Sequence, residues 1–259
     1  LVLKALAQRL GDAWLACRRF TDLQMSEIPV NRAEAYAVAD RMASRIDDTL
    51  CGWKVGATSA RMRELDGHSD VIPGRIFSSV TWEGDDVSLP AERFPFARAE
   101  AEFAFRLSGD VTPSEIGDPE RMARIALLHP AIEVIGNRFV VDGLTPEQNS
   151  LMTVADNGGG IGFVFGPPVA SWHGLDLLHH EVRVSVDGGA PSDNFLGEMR
   201  GPPLQALCDL ARHLADRGYQ LKAGDYVSTG AACVPQSVAK GSQVEADFGE
   251  LGRIKVRFE

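Results

Sequence analysis

Membrane-length apolar runs are missing from this chain, since no stretch approaches the roughly 18 apolar residues a spanning helix needs. Cysteine is scarce as well. The four present, Cys17, Cys51, Cys208 and Cys233, are scattered without CxxC spacing. That excludes a zinc knuckle or a disulfide framework and points to free thiols in a reducing compartment, the cytoplasm. Basic residues are outnumbered, with 26 Lys and Arg against 36 Asp and Glu and a formal net charge of -10. Such a surface argues against nucleic acid as the main partner, because phosphate binding needs clustered Lys and Arg. A small anionic substrate stays open, since a local cation can reverse the field inside a pocket.

Several catalytic signatures are absent too. The glycines from Gly158 to Gly162 do not complete GxGxxG, which speaks against a dinucleotide site. Asp247-Phe248-Gly249 stands without the other kinase elements, and there is no GxSxG. His179 and His180 are adjacent, so a strand would point them to opposite faces and they could not share a metal. No cysteine has an activating neighbourhood. The apolar start at residues 1–6 soon meets Arg9 and Asp12 and is not expected to be a signal peptide.

What is present is enough for a sizeable core: 259 residues, 44% hydrophobic, 24% charged. Leu3, Leu6, Leu10, Trp14 and Cys17 recur at helical spacing and predict a first helix. Asn31 reads as the N-cap of a second, with Glu34 at the capping-box position and Ala35, Val38, Ala39, Met42 and Ile46 as its apolar stripe. From about Cys51 short apolar runs alternate with Gly and Pro, and strands are expected near 52–56, 73–77, 99–107, 131–135, 162–166, 182–186 and 254–258. Further helices are expected over 119–128 and 203–216. The pattern is α+β, with a helical N-terminal lobe over 1–75 and a mostly β catalytic domain over 76–259.

The segment Ala97-Arg98-Ala99-Glu100-Ala101-Glu102-Phe103 alternates strictly. In a strand, Ala101, Phe103 and Phe105 would share the packed face, and Glu100 and Glu102 the other, about 6–7 Å apart. Two carboxylates so placed can converge on one divalent cation, or simply form a solvated face. Glu133 lies in Pro130-Ala131-Ile132-Glu133-Val134-Ile135, a run otherwise apolar on both faces. A lone carboxylate there needs a cation, either an arginine such as Arg138 or a metal. A metal would serve all three carboxylates at once, and oxygen-only ligation selects Mg²⁺ or Mn²⁺ over zinc. Lys54, among small and apolar neighbours, suits a group that holds a substrate carboxylate or moves a proton, with a snorkelling surface lysine as the alternative. Asp156 precedes a glycine run, which fits either close approach of backbone to a ligand or a plain turn. His129 could line the site or serve as a hydrogen-bonded structural residue.

At these positions the sequence resembles the fumarylacetoacetate hydrolase superfamily, in the branch of 2-oxopent-4-enoate hydratases and 4-oxalocrotonate decarboxylases of aromatic meta-cleavage catabolism. The matching pieces are residues 52–59, Glu100-x-Glu102, residues 129–138, Ala155-Asp156-Asn157, Leu221-x-Ala223-Gly224-Asp225 through Thr229-Gly230, and the closing Asp247-Phe248-Gly249-x-Leu251-Gly252. The resemblance implies a mixed β-roll core, a homo-oligomer, a possible complex with a pathway partner enzyme, and Mg²⁺ or Mn²⁺ on Glu100, Glu102 and Glu133. It also places Lys54 and Asp156 beside the substrate as catalytic groups, with Ser59, Thr229 and Gly230 contacting it. Gly136, Gly158-Gly159-Gly160 and Ala231-Ala232 depart from the family pattern.

The activity so implied is hydration of a 2-hydroxy-2,4-dienoate through its 2-oxo-enoate tautomer. Decarboxylation of a longer diacid could share the site. Hydrolysis of an acylpyruvate C–C bond is a further alternative, and a catalytically silent oligomeric partner is the non-enzyme reading.

Overall fold

The computed structural model describes residues 2–259, and Leu1 lies outside the described residues. In chain order the elements are α1 (Val2–Leu15), α2 (Arg32–Ala43), β1 (Leu50–Gly56), α3 (Ala60–Leu65), β2 (Ile72–Phe77), β3 (Thr81–Glu83), β4 (Asp86–Leu89), β5 (Ala97–Leu107), α4 (Pro119–Ile125), β6 (Ala126–Ile135), α5 (Pro146–Ala155), β7 (Gly160–Phe165), β8 (Arg183–Val186), α6 (Pro203–Asp216), β9 (Tyr226–Ala231), β10 (Gln236–Val238), β11 (Gln243–Asp247) and β12 (Arg253–Phe258). No helix among the described residues is long and apolar enough to cross a membrane.

The architecture is α+β, as the patterning predicts. Eight strands form one curled sheet in the order β2-β1-β9-β5-β6-β7-β3, with β10 also paired to β5. Four more form a second sheet, β4-β12-β11-β8. The alternation along β5 sends Ala101, Phe103 and Phe105 into the main core, where they meet Val184, Val244, Val256 and Phe258 of the smaller sheet. The opposite face of β5 is thereby left to Arg98, Glu100 and Glu102. A second core joins Leu6 and Leu10 of α1, Val38 and Met42 of α2, and Met152 and Val154 of α5.

Local signals explain most boundaries. Asn31 Oδ1 accepts the Glu34 N–H at 2.9 Å, so Asn31 does cap α2. Glu34, however, accepts from the N–H of Val30 at 3.0 Å, closing its loop one residue before the cap. The helix expected over 119–128 is shorter. It ends at Ile125, because from Ala126 onward the chain pairs with β5 residue by residue, from Ala126 opposite Leu107 to Ile135 opposite Arg98. The lobe boundary expected at residue 75 falls inside β2. β1 lies on its N-terminal side, yet it pairs with β2, which straddles the boundary, and with β9 in the large sheet. Helix α5 was not foreseen, although Thr145 and Gln148 form a capping box around it and Pro146 opens it.

Candidate metal centre and active-site cavity

Register, more than sequence proximity, builds the site. β5 and β6 are antiparallel neighbours, and Glu100 stands directly opposite Glu133. Like charges in that position repel and weaken a sheet. Glu102 follows on the same face of β5, and one oxygen from each of the three carboxylates lies within 4.8 Å of the others. Glu102 and Glu133 are 1% and 0% exposed, while Glu100 is half-buried at the cavity wall.

The two buried carboxylates are held but not satisfied. Glu102 Oε2 accepts the hydroxyl of Ser228 and the Gly230 N–H, the latter at 3.0 Å. A bulge in the β5–β9 pairing, between Glu102 and Ala104, lets both donors reach one oxygen. Gly230 has φ +97°, a backbone conformation that favours glycine. Glu102 Oε1 and both oxygens of Glu133 have no hydrogen-bond donor. Buried acceptors left so are costly, and three of them converging are what a hard cation would satisfy. Space is kept beside them: a Cβ at Gly160 would fall 2.7 Å from Glu133 Oε1.

Lys54 supplies a buried positive side chain beside them. It lies on β1, is 6% exposed, donates from Nζ to the Gly158 carbonyl at 3.0 Å, and forms an ion pair with Glu133 Oε1 at 3.3 Å. Burial pulls its ammonium toward neutrality, but Glu133, Glu100 and Glu102 together push its pKa above the ordinary lysine range. Lys54 is therefore a cation, not a snorkelling surface residue. Burial and the charge of Glu102 push Glu100 up to about 7. Burial likewise drives Glu133 well above the usual carboxylate range, against the pull of Lys54.

The group opens into a cavity of about 600 Å³, lined among others by Lys54, Thr58, Arg98, Asn137 and Gly230. The Asn157 turn closes one side. Asn157 takes φ +56°, which asparagine tolerates better than most residues, and its side chain accepts from the Arg75 N–H and donates to the Arg75 carbonyl. This brings the Gly158 carbonyl to Lys54.

Three expected residues stand elsewhere than anticipated. Asp156 does not line the cavity: its carboxylate accepts from Nη1 and the backbone N–H of Arg138, both at 2.7 Å, and it is fully buried. Arg138 is thus the partner of Asp156 and not of Glu133. Burial raises the Asp156 carboxyl pKa, with Arg138 opposing. Ser59 caps α3, accepting the Met62 N–H at 3.1 Å, so it is Thr58 that faces the cavity. Thr229 alternates away from Ser228 and Gly230 and donates to the Phe103 carbonyl at 2.6 Å. His129 Nδ1 is 2.7 Å from the Gly166 carbonyl, a structural role. Ser228 escaped the sequence reading; only its place one residue before Thr229-Gly230 hinted at it. Arg19 and Arg98 were also passed over, although Arg98 lies in phase with Glu100 and Glu102.

Residues 63–259 match the family model described as fumarylacetoacetate (FAA) hydrolase C-terminal. A 4-oxalocrotonate decarboxylase of Pseudomonas sp is 30% identical, with 96% of this chain and 95% of the relative covered. A 2-keto-4-pentenoate hydratase of Paraburkholderia xenovorans (strain LB400) is 26% identical over 98% of this chain and 93% of its own length. In fold, the chain is similar to the 4-oxalocrotonate decarboxylase of Pseudomonas putida G7 solved with magnesium and adipate, at TM-score 0.85 and 24% identity, covering 99% of this chain and 97% of that one.

Proposed function

The chain belongs to the fumarylacetoacetate hydrolase family, and from that premise we propose that it is a metal-dependent lyase of aromatic meta-cleavage catabolism that hydrates a 2-hydroxy-2,4-dienoate through its 2-oxo-enoate. The observation that carries this reading is the meeting of Glu100, Glu102 and Glu133 from two strands, with three donor-less buried oxygens, at the wall of an open cavity. An all-carboxylate donor set suits Mg²⁺ or Mn²⁺. Bound there, such an ion would act as a Lewis acid that polarises the substrate's C2 oxygen.

The protein's own groups supply the rest. Lys54, buried at the cavity wall 3.3 Å from Glu133, is suited to bind the substrate carboxylate and to move a proton. Thr58, Asn137, Asn149 and Thr153 line the cavity with neutral hydrogen-bonding groups that can orient the dienoate and an attacking water. Gly230 and Ser228 fix Glu102, and the Asp156–Arg138 pair fixes the turn that carries Gly158 to Lys54. In this reading Asp156 acts through that turn, and Ser59 through Thr58. Family membership supports a homo-oligomer, and four free cysteines support a cytoplasmic setting.

Decarboxylation is the second reading, favoured by the 30% identical decarboxylase relative. Loss of CO₂ from a longer 2-oxo-enedioate would call on the same polarised oxygen. The test is to supply 2-hydroxypenta-2,4-dienoate and Mg²⁺ and follow the diene absorbance, with 2-oxohex-3-enedioate and CO₂ release in parallel. Hydration yields a 4-hydroxy-2-oxo acid. Inertness toward both, with metal bound, would overturn the proposal.

A further inference from the structure

Beside the main cavity, and sharing Arg19, Phe96, Gly136 and Asn137 with it, lies a smaller chamber of about 40 Å³. Three stretches of chain meet around it. The turn after α1 brings Arg18 and Arg19, the segment leading into β5 brings Arg93, and the turn after β6 brings Arg138. Backbone contacts tie these stretches together. The Phe20 N–H donates to the Arg138 carbonyl at 3.0 Å, and a Cβ at Gly136 would fall 2.4 Å from the Phe96 carbonyl oxygen. Four arginines therefore line one narrow space, and no carboxylate lines it.

Their charges are unequally answered. Arg138 is paired with Asp156 at 2.7 Å. Arg19 adds to the pull of Arg138 on that carboxyl, but both hydrogen bonds the Asp156 carboxylate accepts come from Arg138. Among the described residues, Arg18, Arg19 and Arg93 have no carboxylate within ion-pair distance. Nε of Arg19 and Nε of Arg93 are buried without an acceptor, and a buried donor left so is costly. In a chain of net charge -10, this is a local reversal of sign with no internal answer.

We propose that the chamber is a binding site for a small oxyanion of the phosphate class, held by Arg18, Arg19 and Arg93. Guanidinium groups present planar forks that match the oxygens of such an ion. Size limits the ligand: one water needs about 10–15 Å³, so the space suits an inorganic anion and is too small for a dienoate or a nucleotide. Trp14 and Ile161 supply apolar wall, which weakens screening of the charges. The bound ion would pin the turn after α1 and the segment before β5 to the end of β6. Phe96 and Asn137 belong to both spaces, so it would stiffen one wall of the main cavity without touching the carboxylates at its floor.

The experiment titrates inorganic phosphate into metal-stripped protein by calorimetry and thermal unfolding, with chloride at matched ionic strength as control. Without metal, the three carboxylates of the main cavity repel anions, so phosphate reads the chamber alone. Wild type should bind one phosphate per chain, and Tm should rise by roughly 5–10 °C at a hundred times the dissociation constant. Arg93→Gln and Arg18→Gln should each weaken phosphate at least about tenfold. In phosphate-free buffer both variants should melt no lower than wild type, since each removes a like charge from the cluster. Arg18 is exposed, so Arg18→Gln keeps the inference open to refutation if Arg93→Gln disturbs packing. A response that chloride matches, or full phosphate binding by the double variant, would overturn the inference. So would displacement of phosphate by 2-oxohexanoate from the Mg²⁺-loaded protein, which would put the ion in the main cavity. The metal-site reading stands in each of these cases.

Discussion

Replacing Glu133 by Gln should abolish stabilisation by Mg²⁺ and leave the metal-free protein no less stable than before. Removing one partner of an isolated buried ion pair usually costs about 3–5 kcal/mol. Here Lys54 would not be stranded, since Glu100 and Glu102 remain beside it. The substitution also removes a charge that faces Glu100 across the sheet, and it puts an amide donor among acceptors that have none. These gains offset the lost attraction. In the wild type, Mg²⁺ at a hundred times its dissociation constant should add about 2.7 kcal/mol. For a chain of this size that is roughly 5–10 °C in Tm. The assay is thermal unfolding in EDTA and then across a Mg²⁺ titration, for both proteins. Wild type should rise with metal, and Glu133→Gln should not. A variant that keeps the full metal response would refute the ligand assignment. One that melts several degrees lower in EDTA would show that the Lys54–Glu133 contact is a structural ion pair.

Three other outcomes follow from the same geometry. Lys54→Met should lower kcat by about 10²–10⁴-fold while Mg²⁺ binds at least as tightly, since a neighbouring positive charge is gone; equilibrium dialysis beside kinetics separates the two effects. Asp156→Asn should destabilise the fold by about 3–5 kcal/mol in urea unfolding, because it strands the buried Arg138; a loss of activity with unchanged stability would instead put Asp156 at the substrate. Asp40 bears on acid stability: burial alone would raise its carboxyl pKa, but Arg75 and Arg217 hold it below the usual range. A depressed folded pKa means that the stabilisation is present above the unfolded pKa of about 4 and is lost as pH falls through the folded value. Wild type should therefore lose its advantage over Asp40→Asn below about pH 4, and a constant difference across that range would contradict it.

The parts of the site that strand periodicity governs were legible in the sequence. Alternation around Glu100 and Glu102 gave their shared face, and the apolar run around Glu133 marked a buried strand with a misfit charge. That these strands are neighbours, with Glu100 opposite Glu133, is a matter of long-range register, which no local pattern encodes. The same limit explains the arginines. Arg138 stood close to Glu133 in sequence, yet the turn at Asn157 brings Asp156 to it first. Ser59 and Thr229 show a different failure: a hydroxyl beside a site can be consumed by a helix cap or a neighbouring carbonyl, and only coordinates show which. The helix expected to run to residue 128 failed because pairing with β5 outweighs helical propensity from Ala126 on.

The central claim, that carboxylates from β5 and β6 together hold one hard cation facing the cavity, is tested most directly by titrating metal-free protein with Mn²⁺ and reading free and bound ion by electron paramagnetic resonance. Wild type should bind one Mn²⁺ per chain, with a spectrum that changes when a 2-oxo acid is added, and Glu102→Ala should bind none at the same concentrations. Equal Mn²⁺ binding by the two proteins, or a bound spectrum indifferent to the 2-oxo acid, would contradict it.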